Sequence, residues 1–226
     1  MKGFSLLLTF PNDSGPIYKE TLAGRFPVEP FNTCSNLLFL VIIIYFSYHV
    51  YRNYKQHLFL AFAIPILFIG FIGGSIYHAT RSHEIWLLMD WIPIMVLCLA
   101  VSIYFTFKDG NNWLQKIGLL LLVFLLLFGV RLIDWPTKFK ISIGYIGTAL
   151  ALLLPVAIYL IKTSFKNGSQ ILYAVGSFSL AILFRILDKR LDLFEMGTHW
   201  LWHSFGAVAV FFLMNYIFKD KKEAAV

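Results

Sequence analysis

The sequence predicts an all-α integral membrane protein, a bundle of seven transmembrane helices. Three observations carry that reading. The chain has 226 residues, 59% hydrophobic and only 14% charged, where a soluble domain is near a quarter charged. Its apolar residues gather in seven long runs. The linkers between the runs are short and hold most of the charge.

A helix rises about 1.5 Å per residue, so about 20 apolar residues cross a hydrocarbon core about 30 Å thick. The runs at 31–50, 58–77, 85–107, 113–130, 141–161, 171–187 and 197–218 meet that requirement. The sixth is the shortest. Nothing between them is long enough for a separate soluble domain, so 1–226 reads as one membrane domain. Residues 1–28 read as an interfacial segment and 219–226 as a polar tail. The start, MKGFSLLLTFPNDSG, has too short an apolar core for a signal peptide, and no A-x-A site follows it.

The net charge of +7 suggests nucleic acid in a soluble protein. Here the basic residues flank spans, as membrane topology requires, and no basic stripe with interleaved aromatics lies outside them. Cys34 and Cys98 fall inside spans, form no CxxC, and read as small packed residues. Lys and Arg divide ten to nine between the two membrane sides, so the positive-inside rule does not orient the chain. The C-terminal KDKK favours a cytoplasmic C-terminus.

Parity gives a result that needs no orientation. With seven spans, Glu29 and Asn32 open span one, His78 ends span two, Asp90 lies near the start of span three, and His199 and His203 open span seven. All fall on the N-terminal side of the membrane.

His199 and His203, in HWLWH, are spaced i, i+4, which puts both imidazoles on one helix face. Alone, such a pair is more often structural than metal-binding. Ionisable groups inside a span are expensive and normally face the bundle interior. Three histidines and an aspartate at one depth, on three spans, point to a zinc site with three protein ligands and one open position. Asp90 reads either as a general base or as a carboxylate that orients a histidine. Ser75 shares a helix face with His78 and sits beside Gly70, Gly73 and Gly74, so it also reads as a close-packing residue. In EPFNTCSN, Glu29, Asn32, Ser35 and Asn36 form a polar face, suited to capping and interhelical contacts or to a hard cation. His49 and His57 lie near the opposite membrane face, and His83 in the loop after span two.

Four stretches together resemble the alkaline ceramidase family of seven-helix zinc amidases. They are EPFNTCSNL in span one, GGSIYHAT at the end of span two, LLMDWIPI in span three and THWLWH in span seven. Their order covers most of the chain. The wider superfamily also contains adiponectin and progestin receptors and haemolysin III proteins. The resemblance implies that His78, His199 and His203 ligate zinc, that Asp90 and a serine near His78 assist a zinc-bound water, and that Glu29 helps hold a calcium ion. Glu20 and Asp13 are further candidates for that ion. Two spacings depart from the family pattern. The family serine stands four residues before the histidine, where this chain has Gly74, and the histidine-to-aspartate interval is one residue longer.

The resulting expectation is a zinc-dependent hydrolase of lipid amides, cleaving ceramide to a sphingoid base and a fatty acid. The alternatives are a zinc hydrolase of another lipid ester or N-acyl lipid, or a non-enzymatic haemolysin III or adiponectin-receptor type protein with structural zinc. The expected partners are a lipid substrate and the membrane, with no nucleic acid. A metal transporter would carry polar groups through both leaflets, and here they gather near one.

Overall fold

A computed structural model describes residues 10–109, 112–188, 190 and 194–223. The described residues contain seven helices long and apolar enough to cross a membrane. Span one is Pro30–Tyr51, span two Leu58–Thr80, span three Glu84–Asp109, span four Trp113–Leu132, span five Ile143–Lys162, span six Gly168–Leu187 and span seven His199–Asp220. Only 11% of span four's apolar window and 17% of span three's is buried. In water that exposure would be untenable, whereas lipid takes it as solvent.

Span two packs along span three, span three along span five, and span six along span seven. Spans one, two and seven meet at one flank, and span four lies outside against spans three and five. A core of Ile42, Phe46, Leu60, Leu67, Val101, Phe105, Val156 and Tyr216 joins the inner helices. Val123, Leu127 and Ala151 form a smaller contact between spans four and five.

Local chemistry fixes several helix ends. Asn112 starts span four by accepting the Gln115 N–H at 2.9 Å, the preferred capping chemistry. Asn167 adopts φ 55° before span six, a conformation that asparagine tolerates. Span four contains a π-turn at Leu125–Gly129.

Three features differ from the sequence reading. Span seven continues as helix to Glu223, through residues read as a polar tail, because that stretch has no helix breaker. Cys34 is exposed on span one rather than packed inside. The described part of the N-terminal segment is tied to the bundle by backbone bonds. Asn12 N–H donates to Arg81 O at 3.0 Å, Val28 N–H to Ala79 O at 2.9 Å and Glu29 N–H to His78 O at 3.0 Å. Residues 10–29 therefore cover the end of span two where His78 lies.

Candidate metal centre

His78 stands in the last turn of span two, and His199 and His203 in the first turns of span seven. Parity placed them at one end of the bundle, and the fold brings them into contact. His78 lies 5.6 Å from His199 and 4.7 Å from His203 between ring centroids, and His199 lies 4.8 Å from His203. One ring nitrogen from each falls within 4.8 Å of the others. Among the described residues, this is the one His, Cys, Asp and Glu group placed to share a metal.

All three side chains are buried. His78 Nε2, His199 Nδ1 and His203 Nε2 have no hydrogen-bond partner. A buried polar atom left unpaired costs about 1–3 kcal/mol, so three of them are a large fraction of the roughly 5–15 kcal/mol that holds a typical domain folded. A metal ion would satisfy all three at once, and the donor set suits zinc.

Glu29 sets which nitrogen of His78 is free. His78 Nδ1 lies 2.5 Å from Glu29 Oε2. A proton on Nδ1 then donates to the carboxylate, and Nε2 keeps its lone pair for a metal. Glu29 also accepts from Asn32 Nδ2 at 3.1 Å, Thr21 Oγ1 at 2.6 Å and Arg81 Nη1 at 2.8 Å. Burial alone would raise its pKa. The hydrogen bond and charge of His78, then Thr21 and Arg81, outweigh burial and hold Glu29 at about 2.

Those four donors match the roughly four lone-pair sites of a carboxylate. The oxygens of Glu20 accept the N–H groups of Phe31 at 3.0 Å and Asn32 at 2.7 Å, at the start of span one. Asp13 is paired with Arg81, at 2.9 Å to Nε and 2.5 Å to Nη2. Arg81 also donates to Pro16 O at 3.0 Å and Gly15 O at 3.2 Å. The acidic residues considered for calcium are thus occupied by protein donors, and a guanidinium sits among the oxygens that would suit a hard cation. Arg81 reaches them because it ends span two in the left-handed region, φ 49° and ψ 35°. Glycine would adopt that conformation more easily, but glycine has no guanidinium to place there.

Asp188 positions span seven. Its Oδ1 accepts the Thr198 N–H at 2.8 Å and the His199 N–H at 2.9 Å, and its Oδ2 accepts the Lys19 N–H at 3.2 Å. Thr198 Oγ1 donates to Phe184 O at 2.6 Å, so the span's first residues are held against span six. Gly197, at φ 76°, makes the turn into this cap. Tyr18 stacks on His199 with ring centroids 3.7 Å apart. Burial pushes its hydroxyl well above the ordinary tyrosine value, which keeps it protonated.

Asp90 of span three faces span two one helical turn before His78. Its Oδ1 packs against Gly74, where any Cβ would collide with it, and Asn36 Nδ2 would stand 3.2 Å from the same Cβ. Gly74 is thus the residue that faces the Asp90 carboxylate. The Ser75 hydroxyl, three residues before His78, is buried and has no hydrogen-bond partner among the described residues.

The remaining histidines have ordinary surroundings. His57 stacks on Phe218 at 4.3 Å, at the other end of the bundle, and His49 is exposed. The exposed His83 accepts the Ile85 N–H through Nδ1 at 3.1 Å. A cavity lined by Lys55, His57, Leu60, Tyr104 and Ile217 also lies at that other end, away from the triad.

Sequence reasoning did not single out Arg81, Tyr18 or Asp188. An arginine and an aspartate immediately after spans two and six were the available signals. Fold and site together define a seven-helix membrane protein with a buried three-histidine group able to hold a metal. Comparison with protein-family models and with curated proteins finds no match to the chain.

Proposed function

We propose that the protein is a zinc-dependent lipid amide hydrolase of ceramidase type, embedded in the membrane. Its substrate is ceramide or a related N-acyl lipid, and its products are an amine-bearing base and a fatty acid. The observation that carries the proposal is the convergence of three buried, partnerless imidazole nitrogens, with the Asp90 carboxylate against Gly74, one helical turn before His78. Three protein ligands leave the open position of a catalytic site, whereas a structural site fills all four. That count favours the hydrolase over a receptor with structural zinc.

Zinc held there would supply a Lewis acid for the amide carbonyl and a water whose pKa is near 7. The chain's own residues do the rest. Glu29 holds His78 in the ligating tautomer. Asp188 holds the start of span seven, so that His199 and His203 face His78. Asp90 takes the proton from the attacking water and hands it to the leaving amine. Tyr18 covers His199 and excludes bulk water. The acyl chain lies among apolar helix faces, with the amide at the N-terminal-side leaflet and the basic C-terminal end on the cytoplasmic side.

The test uses the purified full chain in detergent. Metal analysis should find stoichiometric zinc. Ceramide, a phospholipid and an N-acyl amino lipid, assayed side by side, should show amide turnover that a chelator removes and zinc restores. Full turnover by a zinc-free variant with alanine at His78, His199 and His203 would sink the proposal.

A further inference from the structure

Arg185 is a half-buried cation that the metal centre leaves unexplained. It lies in span six, two residues before the span ends at Leu187. From there an arginine can extend its head to the interface. Instead its guanidinium carbon sits 4.8 Å from the ring centroid of Tyr145 on span five and 5.2 Å from that of Trp202 on span seven. The two rings are 4.8 Å apart, and Phe178 backs Trp202 at 5.9 Å. Trp202 is turned against spans five and six.

Two other cations of the bundle show what is missing. Arg81 has Asp13 and Glu29, and Lys108 has Asp220. Among the described residues, no carboxylate lies within salt-bridge distance of Arg185. Phe184, the residue before Arg185, accepts the Thr198 hydroxyl, and Asp188, three residues after it, accepts the His199 N–H, so this end of span six borders the triad.

Aromatic faces attract the charge without neutralising it, so an anion would complete the site. The N–H edge of a guanidinium matches carboxylate and phosphate oxygens.

We propose that Arg185 is the anion-recognising residue of this centre, and that the preferred substrate is an N-acyl lipid whose head carries a carboxylate or a phosphate. The anion pairs with the Arg185 guanidinium while the amide lies at the three histidines. This rests on the hydrolase reading and narrows its substrate class from neutral to anionic amides.

The experiment separates binding from turnover. Binding to the purified full chain in neutral detergent is followed by tryptophan fluorescence, with chelator present so that no amide is cleaved. The probes are an N-acyl glycine against the matched N-acyl ethanolamine, and ceramide phosphate against ceramide. Wild type should bind at least one anionic member about ten-fold more tightly than its neutral partner. The carboxylate and phosphate arms tell which anion is preferred. Arg185→Gln should erase the preference while leaving neutral-lipid affinity unchanged, and Arg185→Lys should keep part of it, because charge survives and the bidentate fork does not. A purely structural arginine would move both members of each pair equally. Equal affinities in wild type, or a preference that survives in Arg185→Gln, would overturn the assignment. If Arg185→Gln does not fold, the Arg185→Lys and wild-type arms still decide. Anion preference without turnover of any amide would retire the hydrolase and keep the anion site. Turnover without preference would do the reverse.

Discussion

Glu29 joins His78 to Arg81: its Oε2 lies 2.5 Å from His78 Nδ1 and its Oε1 2.8 Å from Arg81 Nη1. The carboxylate bridges a candidate metal ligand and a buried cation. Outer partners of this kind raise histidine basicity and fix the ring, and losing one typically reduces metal affinity 10–100-fold. Glu29→Gln keeps the shape and one acceptor but loses the charge. It should weaken zinc binding about ten-fold against a buffered chelator, and Glu29→Ala should weaken it further. Wild-type zinc affinity in Glu29→Ala would show that His78 needs no holder.

Arg81 answers two buried carboxylates, Asp13 and Glu29. Removing one side of such a pair leaves unpaired buried charge, worth about 3–5 kcal/mol. Arg81→Met should therefore lower thermal stability in detergent sharply, and the double variant Arg81→Met with Asp13→Asn should recover part of the loss. Calcium should not rescue Arg81→Met if the guanidinium is the cation this place requires. A calcium-dependent rise in melting temperature of wild type would contradict the arrangement.

Asp188 caps span seven through the N–H groups of Thr198 and His199. Asp188→Ala should lower stability by about 1–2 kcal/mol, the usual worth of such a cap. It should also loosen zinc, because His199 is itself one of the capped residues. Asp188→Asn should lie between the two. Equal zinc retention in Asp188→Ala and wild type, after dialysis against chelator, would separate the cap from the metal centre.

The seven spans were legible because lipid allows no compromise: each crossing needs about 20 apolar residues with internally satisfied backbone. His199 and His203 were legible from helical spacing and His78 from parity, since an odd number of crossings fixes which ends share a side. Their supports were not. Glu29 meets His78 across 49 residues, Arg81 meets Glu29 across 52, and Lys19 meets Asp188 across 169. No local pattern encodes such pairings. From its neighbours Glu29 reads as part of a capping face or a hard-cation site, and calcium is only what the resemblance implies; the cation beside it in the fold is the Arg81 side chain from the end of span two. The direction of Trp202 likewise depends on how spans five and six pack against it.

Gly74 shows how one missing Cβ shapes the site. The helix face of span two at this position carries Asp90 Oδ1 and the Asn36 amide. A serine here, one helical turn before His78, would push its Cβ into the carboxylate. Gly74→Ala adds only that Cβ, so it isolates the steric effect from any hydroxyl chemistry. Overpacking of this kind costs about 1–3 kcal/mol, and the group forced to move is Asp90. Gly74→Ala should therefore keep its zinc, since the three histidines are not displaced, while amide turnover falls at least ten-fold. Gly74→Ser should behave alike if space is the requirement. If Gly74→Ser instead retained turnover while Gly74→Ala lost it, a hydroxyl at this position would be replacing what the carboxylate does, and the proton-carrying role of Asp90 would have to be given up.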